Sequence, residues 1–225
     1  AQFRAAADRA TDVQWKHKNQ YYAAVSDEMA GDVAAAISLW ETLQKDTTAA
    51  TEIRRSSLSA LAESYLGRWF AVNPATVIQP SEQDIRQQSL LTAKDRYEQL
   101  QREFPEFDVD RIAFNLGTCY RLLEDHPRAI TQFQKIDWPT QPETDLGAAA
   151  LAWQAKFNQA RSHFALKQLD EARQAMDLAL PRLEYATNLA GGQAILLRMR
   201  IAEKSSDWST VLTLRQQGDA WLKLI

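Results

Sequence analysis

Three pairs of small residues stand at one fixed distance along the chain: Ala24 and Ala36, Gly117 and Ala129, and Ala160 and Ala172 are each twelve residues apart. A constant offset needs a loop of constant length joining two antiparallel helices. Each second member is followed one turn later by a large side chain, in Ala36-x3-Trp40, Ala129-x3-Phe133 and Ala172-x3-Met176, and Ala93-x3-Tyr97 has the same form. At about 100° per residue the small and the large residue share one helix face, a hole beside a knob. The first helices repeat as well, since Leu58-x2-Leu61-Ala62-x2-Tyr65 matches Ala113-x2-Leu116-Gly117-x2-Tyr120. Gly31-Asp32, Glu124-Asp125-His126-Pro127 and Leu169-Asp170 supply the turns. Pro127 falls in the first turn of its helix, where a missing N–H costs nothing, and Pro105 after Phe104 stops the helix before it.

Composition agrees with a helical reading. In 225 residues there are only 7 Gly and 7 Pro, too few for a turn-rich all-β fold. A hydrophobic share of 45% and a mean hydropathy of -0.42 exclude wholesale disorder. No stretch approaches the roughly 18 uninterrupted apolar residues of a membrane span. Lys+Arg 26 against Asp+Glu 29 gives a net charge of -3, so nothing drives the chain as a whole onto nucleic acid or anionic lipid. Arg54-Arg55 and the Arg198, Arg200 and Lys204 group are the densest basic spots, and both read as solvated helix faces. One Cys and three scattered His leave no disulfide and no metal cluster, and no cofactor is expected.

Leu116, Gly117, Tyr120, Ala129 and Phe133 fill signature places of the tetratricopeptide repeat, and Pro105 fills the terminal proline place of the unit before. The chain resembles that family from about 17 to 215. The resemblance implies an all-α, right-handed superhelical solenoid of about five antiparallel hairpins: 17–48, 55–105, 110–142, 153–185 and 192–225, in a single domain over 1–225. The end units depart most from the pattern, as terminal repeats facing water do. In the fourth, His163 stands where the family favours Tyr. The rhythm Tyr97-x6-Phe104-Pro105 is also similar to repeats of bacterial envelope proteins. With a chain that begins Ala1-Gln2, it sets a periplasmic or periplasm-facing location as the expectation, and the cytoplasm as its alternative.

The second unit is irregular. Ala62 to Ala93 spans 31 residues instead of twelve, which places an insertion at about 67–88 containing Trp69, Phe70, Pro74 and Pro80. The prolines make a continuous helix beyond Val72 unfavourable, leaving an extended first helix or a long connecting loop. Trp69 and Phe70 then either cap exposed core or form a second partner surface with Trp221. The apolar end around Trp221 is also a candidate for self-association.

No catalytic motif is present: there is no glycine-rich phosphate loop, HExxH, G-x-S-x-G or CxxC. An enzyme is not expected. In stacked hairpins the first helices line a groove, and residues turned away from the hairpin contact face it. That set is Arg111, Phe114, Asn115, Thr118 and Arg121 in the third unit, and Phe157, Asn158, Arg161 and Phe164 in the fourth. Phe offers apolar area, Asn can pair with a peptide backbone, and Arg can take a carboxylate bidentately. Packing of the Phe residues between repeats, with Arg paired to the chain's own acids, is the competing reading. The expected function is a non-enzymatic scaffold or adaptor holding a protein or peptide, with a bacterial envelope complex as its setting. A cytosolic regulator or secretion-type chaperone, and a docking domain of a larger enzyme or transporter, are the alternatives.

Overall fold

The computed structural model describes residues 2–71 and 80–222, without the side chains of 80, 81, 188 and 220–222. Val72, Pro74 and the Trp221 side chain, which the sequence reading singled out, lie outside the described residues. Within them the secondary structure is helical throughout. A short α1 (Gln2–Arg9) precedes five hairpins: α2 (Val13–Met29) with α3 (Val33–Lys45), α4 (Thr51–Phe70) with α5 (Pro80–Glu103), α6 (Val109–Leu122) with α7 (His126–Phe133), α8 (Leu146–Ala165) with α9 (Leu169–Ala179), and α10 (Asn188–Lys204) with α11 (Trp208–Leu222). A 3₁₀ segment, Leu180–Tyr185, follows α9. The helices gather into two compact units, Ala1–Val109 and Asp110–Ile225.

In the first unit α1 was not expected from the repeat. It rests on α2 through the Phe3 and Tyr22 rings, 5.6 Å apart, and through the Arg4–Asp27 ion pair. Ala24, Ala36, Ile37, Trp40 and Leu61 close into a buried cluster. The insertion is mostly helix. It lengthens α4 to Phe70 and starts α5 at Pro80, where a helix tolerates proline, so only 71–79 lie between the two helices. Trp69 is half-buried under Arg86, whose guanidinium lies 4.7 Å from the indole centre and donates to the Trp69 carbonyl at 2.8 Å. That bond satisfies one of the orphan carbonyls at the end of α4. Phe70 stays 59% exposed. Arg54 and Arg55 are half-buried, not a solvated face: Arg54 donates to the Gln44 carbonyl, and Arg55 lies 4.3 Å from the Phe107 ring centre.

In the second unit Trp153, Phe157, Ala160, Ala172, Met176, Ala194 and Ile201 form the core. The Trp153 indole donates to the Ala179 carbonyl at 3.0 Å, tying α8 to the end of α9. His163 is buried and its Nδ1 lies 2.8 Å from Gln168 Oε1, so it packs inside the α8–α9 turn. Cys119 is buried as a small hydrophobe.

Four hairpin turns share one geometry. Gly31, Glu124, Lys167 and Ser206 have φ of 86°, 62°, 61° and 57°. In each, the next residue's N–H returns to the carbonyl five positions back: Asp32 to Asp27, Asp125 to Tyr120, Gln168 to His163 and Asp207 to Ala202. This is the left-handed cap that closes a helix C-terminus. Asp32, Asp125 and Asp207 then cap the second helix, accepting from the N–H three residues on.

The small-residue rule has a measurable basis at Gly117. A Cβ built there would sit 2.8 Å from the Phe133 ring, which is itself fully buried. Gly117→Ala is therefore expected to lower stability by about 1–3 kcal/mol, despite the roughly 1 kcal/mol that Ala gains over Gly in helix propensity. Denaturant titration checks it. The left-handed turns give the opposite sign: Glu124→Gly and Lys167→Gly should each raise stability by up to about 1 kcal/mol, because Gly adopts positive φ without steric cost. Unchanged or lower melting midpoints would contradict that.

Candidate partner-binding face

The turn residues put the first helices of the second unit in register. Counting back from Glu124, Lys167 and Ser206 aligns Phe114, Phe157 and Leu196, and likewise Thr118, Arg161 and Arg200. On α8 and α10 these residues meet. Phe157, Arg161, Gln193, Leu196, Leu197 and Arg200 line a cavity of about 260 Å³. Leu196 is 57% exposed and Leu197 half-buried, packed against the core. Arg161 lies over the Phe157 ring, 5.6 Å from its centre, and Arg200 is exposed.

The phenylalanines lie deeper than the groove reading requires. Phe157 is only 5% exposed and stacks on Trp153 with ring centres 5.4 Å apart, so its edge alone reaches the cavity. Phe114 is half-buried and tilts against Phe133 at 5.9 Å, joining α6 to α7. Phe164 is half-buried and packs on the core. Phe114 and Phe157 are thus each packed on a ring of their own hairpin. Asn158 donates its amide to the Gln154 carbonyl at 3.0 Å, inside its own helix, so that donor is already used. Asn115 is half-buried and Arg111 exposed on α6.

The arginines behave differently. Arg121 is half-buried on α6, and its Nε is shut off from solvent without a hydrogen-bond partner. Burial pushes its guanidinium down to about 10, helped by the neighbouring charge of Arg161. Arg161 is also lowered by burial, to a lesser degree, in keeping with its greater exposure. Both remain charged at neutral pH. Among the described residues no acidic side chain pairs with Arg121, Arg161 or Arg200. Arg198, read from the sequence as part of a solvated face, is instead 8% exposed and donates to Asp177 at 3.0 Å.

On the first helices of the first unit, Glu28 of α2 and Glu63 of α4 stand near Tyr21. Burial pushes the Tyr21 phenol up, and the nearby carboxylates of Glu63 and Glu28 add to it. Among the described residues no group of three or more His, Cys, Asp or Glu side chains could hold a metal, and no helix is long and apolar enough to cross a membrane.

No protein-family model and no curated protein matches the sequence. Solved structures match its fold. BtubC (BKLC) from P. vanneervenii superposes with a TM-score of 0.65 at 15% identity, covering 98% of this chain and 85% of that one. A putative kinesin light chain of Podosopora anserina, described as having nearly identical TPR-like repeats, gives 0.61 at 15% identity over 94% of this chain and 97% of its own. The apo form of RapI gives 0.66 at 14% identity, covering all of this chain and 58% of that one. The fold is that of the tetratricopeptide repeat. Each tetratricopeptide hairpin here is one α6–α7-like pair, and α1 is an addition before the first.

Missing from the sequence-based site were Gln193, Leu196, Leu197 and Arg200. Hairpin α10–α11 has Met199, Val211 and Arg215 where the others have small, small and large residues. Its register survives only in the left-handed Ser206. Phe157→Ala should cost about 3 kcal/mol or more, since it empties core volume, whereas Leu196→Ala should stay within about 0.5 kcal/mol. Chemical denaturation of both variants separates a core residue from a cavity-rim residue.

Proposed function

We propose that this chain is a non-enzymatic protein-interaction scaffold. Its second unit takes an apolar side chain of a partner segment into the α8–α10 cavity, with acidic groups of that segment on Arg161 and Arg200. The observation that carries this reading is a cavity with an apolar floor of Phe157, Leu196 and Leu197 and a rim of two arginines unpaired among the described residues. Its volume of about 260 Å³ falls below the roughly 300–1,000 Å³ of small-molecule sites and suits one anchoring side chain. Arginine near an apolar anchor is the pairing that dominates protein interfaces. The tetratricopeptide fold supports it by exposing its first helices along one face. A bacterial envelope complex is the setting we propose, supported by the Tyr97-x6-Phe104-Pro105 likeness. Recovery of the full-length protein in the cytoplasmic fraction would overturn that part.

The test places a photo-crosslinking residue at Leu196 in living cells. A discrete partner is expected, captured in proportion to expression and lost when Arg161 and Arg200 are both changed to Ala while the melting midpoint holds. Capture that persists in the double variant would show that the arginines do not hold the partner.

A further inference from the structure

We propose that the second unit carries a small-molecule site between α9 and α11, and that its ligand is a free α-amino acid with an apolar side chain, held by its carboxylate on Arg198 and by its ammonium on Asp177. The site lies apart from the α8–α10 cavity and does not depend on the scaffold reading.

A cavity of about 490 Å³ lies there. Asp177, Leu180 and Pro181 form its wall at the end of α9, and α11 faces them through Ser209, Thr213 and Leu214. Arg198 enters from α10, which packs on both helices. The volume falls within the roughly 300–1,000 Å³ of small-molecule sites.

Arg198 is the residue that marks it. Counting back from the left-handed turn residues, it stands where Ala23, Leu116 and Gln159 stand in their hairpins, and the first two are buried apolar side chains. A cation at such a place loses solvation that only hydrogen bonds offset. Asp177 accepts from its Nε at 3.0 Å, which uses one of five guanidinium donors. Among the described residues Nη1 and Nη2 meet no acceptor, and neither is enclosed as the Nε atoms of Arg55, Arg96 and Arg121 are. Since Arg198 is only 8% exposed and lines the cavity, that opening is where its free donors can be met. Asp177 takes the Arg198 bond on Oδ1, and among the described residues its Oδ2 has no partner.

The ligand class follows from the two charges. A lone carboxylate on the Nη edge, which it would match bidentately, would also stand beside the Asp177 carboxylate. A lone amine on Asp177 would stand beside the guanidinium. An α-amino acid carries both groups on one carbon and answers each charge with its opposite. The hydroxyl hydrogens of Ser209 and Thr210 are committed to Asp207, and that of Thr213 to the Ser209 carbonyl. Their oxygens therefore offer lone pairs, which suit an ammonium with three protons. Leu180, Pro181 and Leu214 leave an apolar wall for the side chain.

The test is the melting midpoint of the full chain, with calorimetric titration, in L-leucine, L-valine, L-methionine and L-phenylalanine. The N-acetyl and the primary-amide derivatives of each, which lack the ammonium and the carboxylate respectively, run alongside. At least one amino acid should raise the midpoint saturably, by about 3 °C at ten times its dissociation constant, and neither of its derivatives should match it. Asp177→Asn keeps an oxygen for the Arg198 Nε and removes the charge, so it should fold like the parent and bind about tenfold more weakly or worse. Asp170→Asn, on the same helix and outside the cavity, should keep the response. No saturable response to any of the four overturns the proposal. So does an equal response to a blocked derivative, which would mean that only one charge is read, or an undiminished response in Asp177→Asn. None of these outcomes bears on Leu196 crosslinking, which decides the scaffold reading separately.

Discussion

The closest approach between the two helices of a hairpin is made by a residue with almost no side chain against one with a large ring. At Gly117 even a methyl group would meet the Phe133 ring at 2.8 Å. Ala24 with Ala36 and Trp40 repeats the arrangement in the first unit, and Ala160 with Ala172 and Met176 repeats it in the second. Trp40, Phe133 and Met176 lose all contact with water there. Since apolar burial yields about 25 cal/mol per Å², each knob is a large part of what holds its hairpin shut. The contact also fixes which way every other side chain on the two helices points.

The turn supplies the second half of that constraint. A left-handed residue ends the first helix of every hairpin but α4–α5, and in these four an acidic cap starts the next helix except at Gln168, which makes no side-chain cap bond. With the loop length set and the small residue seated, the first helices present the same register face from one hairpin to the next. Phe114, Phe157 and Leu196 form one row of that face, and Thr118, Arg161 and Arg200 the next. The α8–α10 cavity is thus a by-product of hairpin packing, since Phe157, Arg161, Leu196 and Arg200 all stand on helices whose positions the core decides.

The spacing of small residues was enough to place the three regular hairpins and to single out Arg121 and Arg161. Other features were hidden for physical reasons. Angular position on a helix says which side a residue faces but not how far it is covered, so the sequence left both a groove-facing and a packed reading open for Phe157, which is buried, and Phe164, which is half-buried. Glu, Lys and Ser carry no preference for positive φ, so among the four left-handed residues only Gly31 was marked by its residue type, although the loop holding Glu124 was placed. Without that mark, α10–α11 lost its register, and Arg200 was grouped with the buried Arg198 as one solvated cluster. The lengthening of α5 back to Pro80 was obscured by a proline that breaks helices in their interior and starts them at their ends.

The local charge on the second unit is not a consequence of overall composition. The chain has more acids than bases, 29 against 26, and many of its arginines find a carboxylate or a carbonyl. Carboxylates were therefore available to neutralise Arg121 and Arg161, yet none among the described residues does so. An internal partner would have improved stability and consumed the donors. Leaving a partly buried cation unpaired raises the energy of the free state. In the proposed scaffold role, the apolar floor between α8 and α10 would supply the part of the interaction that salt cannot screen. On that proposal a partner segment would be chosen by two independent features, an anchor of the right size and an acidic group at the right distance from it.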